Sequence, residues 1–512
     1  MSRSHATTPS QRSSVRERQA PLAALRELVQ RVRLQSSAGD ALYWDERVAM
    51  PRAGGAWRAA QRSALAQLVH DSLAGEDMRR ALAAAEDAHP GHPEIAALRR
   101  DHERARCLPA QFSAEHAAAV STARAAWDRA REHDDFAGFE PHLSEVLSFA
   151  QRSAEYVGYA REPYDAMLEE WEPGADAAWV ASTFATLAAE LGPMLAARPR
   201  CTRELTLRPV PEGARRAFER EVLEAVGFDF GRGVITDSPR AFCIGLGPDD
   251  VRMTTRFHGT PGVMGLHSSL HEAGHGIYAQ SFARLGVPAA LAQAPGLGID
   301  ESQSRLVENM VGRSHAFCEW VLGRLLEHFP GVFSEGDLAQ LYAEYNTAEH
   351  PCRRLGTDEL SYSLHITVRF ALERALVNGT LAVQDLPEAW ADAMDHQLGV
   401  RPQRHVDGCL QDVHWSLGQW GYFPTYALGN IYGAQLMEQA TAAAGPIEPG
   451  LRRSGEWTAH REWFDEHVYR HGRTWNGREL VERASGSPVS VAPFVRYLRA
   501  KFVTNAADFA RR

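Results

Sequence analysis

The chain has 512 residues, a formal net charge of −10 and 44% hydrophobic residues, enough to bury a large core in one long domain or in several ordinary ones. The acidic balance, with no basic stretch interleaved with aromatics, argues against a nucleic-acid partner, and no run approaches the 18 apolar residues of a membrane span. Cys107, Cys201, Cys243, Cys318, Cys352 and Cys409 are widely scattered with no C-x-x-C pair, which argues against a disulfide framework and fits reduced thiols in a cytoplasm.

Residues 1–20 are rich in serine and arginine, lack an apolar core of signal-peptide length, and read as a disordered N-terminal tail. From residue 21 to 512 the pattern is that of a single large, all-α domain. Over 21–35, Leu22, Leu25, Leu28, Val29 and Val32 recur near a 3.6-residue period. The same periodicity predicts helices over 56–74, 78–88, 114–132, 177–197 and 214–226. Strand-like alternation is scarce; its clearest instance, 251–257, is β-branched and predicts a small sheet just upstream of the most informative segment.

That segment is Leu270-His271-Glu272-Ala273-Gly274-His275-Gly276. Two histidines four apart on a helix share one face and can grip one metal ion, while the intervening glutamate reaches the activated water. With 22 histidines in the chain a chance match carries weight, so the flanks matter. No proline follows Pro261, and the run through Ala279 suits a continuous buried helix. A catalytic site of this kind needs a third protein ligand. A loop marked by Gly286, Pro288, Pro295, Gly296 and Gly298 leads into a helix predicted over 302–327, where Glu301 and Glu308, seven apart, share a face. Spacing alone does not choose between them. Further helices are predicted over 337–349, 364–378 and 427–444.

Several segments together resemble the carboxypeptidase Taq family of zinc metallocarboxypeptidases: Trp44-Asp45-Glu46, the D-x-R-x-T of Asp250–Thr254, His271–His275, Glu301–Arg305, Asp358–Ile366, the G-x-x-Q-D-x-H-W of Gly408–Trp415, and Gly421–Tyr426. The resemblance covers the chain after about residue 20 in consistent order. It implies a helical, homodimeric enzyme with a long active-site groove that removes single residues from the free C-terminus of peptides. It implies one Zn²⁺ per chain, or another divalent metal such as Co²⁺, held by His271, His275 and Glu301, with Glu272 as general base. It also implies that Arg354 receives the substrate's terminal carboxylate, a role a planar guanidinium suits. Arg252, His414 and Tyr422 are carried over as substrate contacts, Arg252 against the alternative of a structural ion pair. His365 reads as a buried structural histidine.

Two departures stand beside the site. Asp300 replaces the histidine that usually precedes the third ligand, and Arg240-Ala241-Phe242 replaces an H-P-F loop. Both residues are candidate substrate contacts, and together they suggest narrowed or shifted specificity, with Asp300 pairing Arg240 if the loops meet. The competing readings are a metal-dependent amidase acting on a non-peptide or modified amino-acid conjugate, and an idle binding protein. The intact Glu272 counts against the second.

Overall fold

The computed structural model describes residues 9–197, 201–347 and 351–504. The first helix, Pro9–Val48, begins inside the stretch expected to be a disordered tail, and residues 1–8 lie outside the described residues. The reason is local. Leu22, Leu25 and Val29 pack on Met78, Leu82, Ile95 and Leu98, and once that turn is fixed, each further residue adds a hydrogen bond at little cost. Good helix formers such as Gln11, Arg12, Arg16 and Glu17 carry the helix outward.

A larger core runs from Ala123 to Val481 in sequence and includes the buried face of the helix that carries the H-E-x-x-H segment, Leu266–Arg284. Helices that periodicity did not draw out include Pro93–Cys107, Pro163–Trp171, Leu386–Leu398, Glu448–Ser454 and Ala492–Arg499. Each carries proline at its first or second position. There the missing N–H is not needed, so proline starts a helix rather than breaking one.

The expected small sheet is present as β1 (Gly233–Asp237), β2 (Phe242–Gly247) and β3 (Asp250–Thr255), in the order β1-β3-β2. β1 runs parallel to β3 and β2 antiparallel to it. β3 stops two residues short of the expected end because Asp237 Oδ1 accepts the backbone N–H groups of Phe257 (2.6 Å) and His258 (2.9 Å), turning the chain. The sheet is tied to the helix Leu266–Arg284 through Ser269. Its hydroxyl donates to Glu219 Oε2 (2.8 Å) and meets Thr255 Oγ1 at 2.9 Å.

The helix expected over 302–327 is interrupted. The segment Leu297–Arg305 is α-helical, Leu306–Val311 is a π-turn, and a new helix, His315–His328, starts at a Ser314 cap. The wider turn rotates the chain at Glu308, a common device at functional sites. Two glycines let these elements meet. A Cβ on Gly274 would lie 2.4 Å from Gln303 O and 2.5 Å from Ser304 Cα; one on Gly429, in the helix Phe423–Ala444, would lie 2.8 Å from Glu301 Cβ. Three helices therefore touch backbone to backbone around Glu301.

Candidate active site

His271 and His275 project from one face of Leu266–Arg284, and Glu301 reaches them from Leu297–Arg305. Their ligand atoms lie within 4.8 Å of one another, with His271 Nε2 at 3.8 Å from Glu301 Oε2. Glu308, which spacing could not rank against Glu301, takes a different place. Its Oε2 accepts from His271 Nδ1 at 2.9 Å and is gripped by Arg305 (3.0 Å), while Oε1 takes Arg313 (2.8 Å). Burial opposes ionisation of Glu308, but Arg305, His271 and Arg313 hold its carboxyl well below the usual range. An ionised carboxylate can only accept, so the His271 proton sits on Nδ1 and the Nε2 lone pair is left for a ligand bond.

His275 has the equivalent arrangement with Asp300, whose Oδ2 lies 3.1 Å from Nδ1. The alignment is poor for a hydrogen bond, and the contact is mainly an ion pair. Burial would lower the His275 pKa, but Asp300, Glu301 and Glu272 raise it to about 10. Two imidazoles and one carboxylate, each imidazole backed by a carboxylate, form a donor set that fits a divalent metal with a position left open for chemistry. Glu272 is buried between the histidines, 7% exposed. Burial pushes its carboxyl up, opposed by both imidazoles.

The three ligands and Glu272 line one cavity of about 910 Å³, shared with Arg240, Asp300, Arg354, His414, Tyr422 and Tyr426. A model of the carboxypeptidase Taq (M32) metallopeptidase family matches residues 24–502. The chain belongs to that family. It is 37% identical to a thermostable carboxypeptidase 1 of Thermus thermophilus, over 91% of this chain and 95% of the relative. It is 33% identical to the Pyrococcus furiosus thermostable carboxypeptidase 1, with the same coverage. The crystal structure of an M32 carboxypeptidase from Deinococcus radiodurans superposes with a TM-score of 0.90 at 34% identity, over 95% of this chain and all of that one. The chain is thus a metallocarboxypeptidase, helical with a small sheet, as expected.

Within that enzyme, Arg354 is buried in the cavity wall and already engaged. Its Nε (3.0 Å) and Nη2 (2.9 Å) donate to Asp412 Oδ1, and Nη1 donates to Tyr362 Oη at 2.8 Å. Asp412 is shared with Arg369, whose Nε and Nη2 lie 2.7 and 2.6 Å from Oδ2. Burial notwithstanding, Arg369 and Arg354 together hold the Asp412 carboxyl far below its ordinary range. Among the described residues, three of the five guanidinium N–H groups of Arg354 are used, which leaves one on each terminal nitrogen.

His414 and Tyr422 also reach the cavity. His414 Nε2 lies 3.1 Å from Tyr426 Oη, and burial together with Arg354 lowers its pKa to about 3, so the ring is neutral. Tyr422 packs 5.3 Å from both the His414 and Tyr426 rings, and burial keeps its hydroxyl protonated. Arg252 does not join them. It pairs with Asp250 through two bonds of 2.9 Å, lies 4.8 Å over the Trp44 ring, and is not among the cavity-lining residues. On β3 the inward places go to Val251 and Met253, so the structural ion pair is the arrangement found. Asp300 faces His275 and makes no ion pair with Arg240 among the described residues. His365 is buried, with Nε2 at 3.2 Å from Pro351 O. Asp412, Tyr362 and Arg313 were given no role from sequence, although Asp412 and Tyr362 lie within the family-like segments Gly408–Trp415 and Asp358–Ile366, as Arg305 does within Glu301–Arg305.

Proposed function

We propose that this metallocarboxypeptidase binds one Zn²⁺ through His271, His275 and Glu301 and releases single C-terminal residues, with Arg354 holding the substrate's terminal carboxylate. The observation that carries the reading is the pair of unused N–H groups on the terminal nitrogens of Arg354. They suit a bidentate, end-on grip on one carboxylate. The Asp412–Tyr362 brace fixes the guanidinium plane, so little side-chain entropy is lost on binding.

A divalent ion at this site supplies Lewis-acid activation of water and of the scissile carbonyl. Glu272, buried within the cavity, takes the proton of the attacking water and returns it to the leaving amine. Tyr422 keeps its proton and is placed to donate to the developing oxyanion. His414, neutral and fixed by Tyr426, lies in the wall as a substrate contact rather than a second base. Asp300 bears on substrate through His275, and Arg240 contacts it directly, shifting specificity. Homodimerisation is carried over from the family. A cytoplasmic setting fits the six unpaired cysteines and the lack, among the described residues, of a helix able to cross a membrane.

The test is a panel of N-blocked peptides, each offered as free acid and as C-terminal amide. Stepwise amino-acid release from the acids alone is expected, and Arg354→Gln should lower kcat/KM by about a hundredfold or more. Cleavage of amides as readily as acids would refute the assignment.

A further inference from the structure

The charges that line the cavity are mostly committed. Glu308 is held by Arg305 and Arg313, and Asp412 by Arg354 and Arg369. Glu344 accepts the backbone N–H groups of Glu204, Leu205 and Thr206 at 2.7–2.9 Å. Glu301, Asp300 and Glu272 serve the metal site. Two arginines of the lining differ. Arg240 and Arg131 both line the cavity, and neither makes an ion pair among the described residues.

Arg131 lies 5.0 Å over the Trp127 ring and spends one N–H on Gln411 O (3.2 Å). Arg240 is exposed at the end of the loop before β2, and its backbone carbonyl is fixed by Thr254 Oγ1 at 3.0 Å. Burial lowers the Arg240 pKa, and so do the charges of Arg124, Arg131 and Arg47, with Asp128 the opposing carboxylate. Asp128 is itself paired with Arg124 at 3.0 Å. Guanidiniums stay charged under such crowding, so this part of the lining is a concentration of positive charge with no carboxylate paired to either arginine among the described residues. Like charges gathered in a cleft raise the local concentration of an anionic substrate.

Position narrows the ligand. Gln411 joins the two ends of this region: its backbone oxygen takes Arg131, and its side-chain oxygen accepts the backbone N–H of Arg354 at 2.8 Å. An anion at the basic wall is therefore within a residue or two of the proposed carboxylate clamp. We propose that Arg240 and Arg131 form a subsite for an acidic side chain in the last two residues of the peptide, making this enzyme selective for peptides that end in aspartate or glutamate. The inference rests on the carboxypeptidase reading, because the place of Arg354 sets which substrate residues face the wall.

The experiment compares N-blocked peptides that differ only by glutamate against glutamine at the terminal or penultimate position. kcat/KM ratios are measured for the parent and the Arg240→Gln, Arg131→Gln and double variants, at low and high salt. Affinities for the same peptides are measured by calorimetry on metal-loaded Glu272→Gln protein with and without the two arginine changes, which needs no turnover. Glutamate is expected to be favoured by about tenfold at one position, less at high salt, and the ratio should fall towards one in the double variant. A ratio of one in the parent, or a preference that survives in the double variant, overturns the subsite. Binding preference without hydrolysis of any peptide would keep the subsite and refute the carboxypeptidase reading; hydrolysis with no acidic preference would do the reverse.

Discussion

Asp300 occupies the place beside the third ligand where the family usually carries histidine, and the structure turns it towards His275. Its Oδ2 lies 3.1 Å from Nδ1, and among the described residues no arginine shares that carboxylate. Glu308, the counterpart behind His271, is divided between Arg305 and Arg313. The full Asp300 charge therefore falls on the imidazole. At an effective dielectric near 20, unit charges at this separation attract by about 5 kcal/mol, most of which desolvation offsets. Removing a carboxylate behind a ligating histidine costs about 10–100-fold in metal affinity, or roughly 1.4–2.7 kcal/mol. Asp300→Asn keeps an oxygen beside Nδ1 and should weaken zinc binding by about tenfold; Asp300→Ala should approach a hundredfold. The assay is competition for zinc against a chromophoric chelator at fixed pH, with thermal unfolding of the metal-free protein as a control for the fold. If Asp300→Ala binds zinc as tightly as the parent, the carboxylate does not orient His275 and the reasoning fails.

Glu272→Gln should retain zinc with unchanged stoichiometry and lose about 10²–10⁴-fold in kcat, measured on a free-acid peptide; near-parental turnover would remove it as the base. Gly274→Ala places a methyl 2.4 Å from Gln303 O, which must push the two ligand-bearing helices apart, so a loss of about 1–3 kcal/mol in unfolding free energy and weaker zinc binding are expected. A parental melting curve and metal affinity would show that the helices can slide. Glu172, which accepts from Gly298 N–H (2.8 Å) and Tyr432 Oη (3.1 Å), has its pKa raised by burial from 4.5 to about 7. The folded protein holds this proton where the unfolded chain has lost it. The stability it contributes, on the order of 3 kcal/mol, is present below pH 4.5 and lost as pH rises through 7. Urea unfolding of Glu172→Gln across that window should show a shallower fall in stability than the parent; parallel curves would count against the assignment.

Much of this was legible in the residues. The H-E-x-x-H spacing alone places two ligands on one helical face, because that follows from 3.6 residues per turn and needs no tertiary information. Spacing alone left Glu301 as one of two candidates, and the family resemblance of Glu301–Arg305 chose it. Glu301 and Glu308 are chemically identical and share a helical face, and what separates them is a π-turn whose existence depends on how Leu306–Val311 packs. The helices opening with proline were missed because a breaker and a first-turn residue look alike in a one-dimensional pattern. Composition likewise does not register how far the first helix propagates from its nucleus at Leu22, Leu25 and Val29.

The sequence by itself determined the family: an acidic, cysteine-poor, helical chain carrying the H-E-x-x-H segment on one helix, and an order of motifs that identified the family. Those properties reside in residue type and local spacing. Tertiary structure alone decided that Glu308 stands behind His271, that Arg252 pairs with Asp250 outside the cavity, that Arg354 keeps two donors unused among the described residues while braced by Asp412 and Tyr362, and that Asp300 turns to His275 rather than Arg240. Most of these are pairings between residues on different segments of the chain; Arg252 and Asp250, two apart on β3, are the exception. Such pairings are settled by burial and by the few ångströms that packing leaves between helices, neither of which is written in the order of the residues.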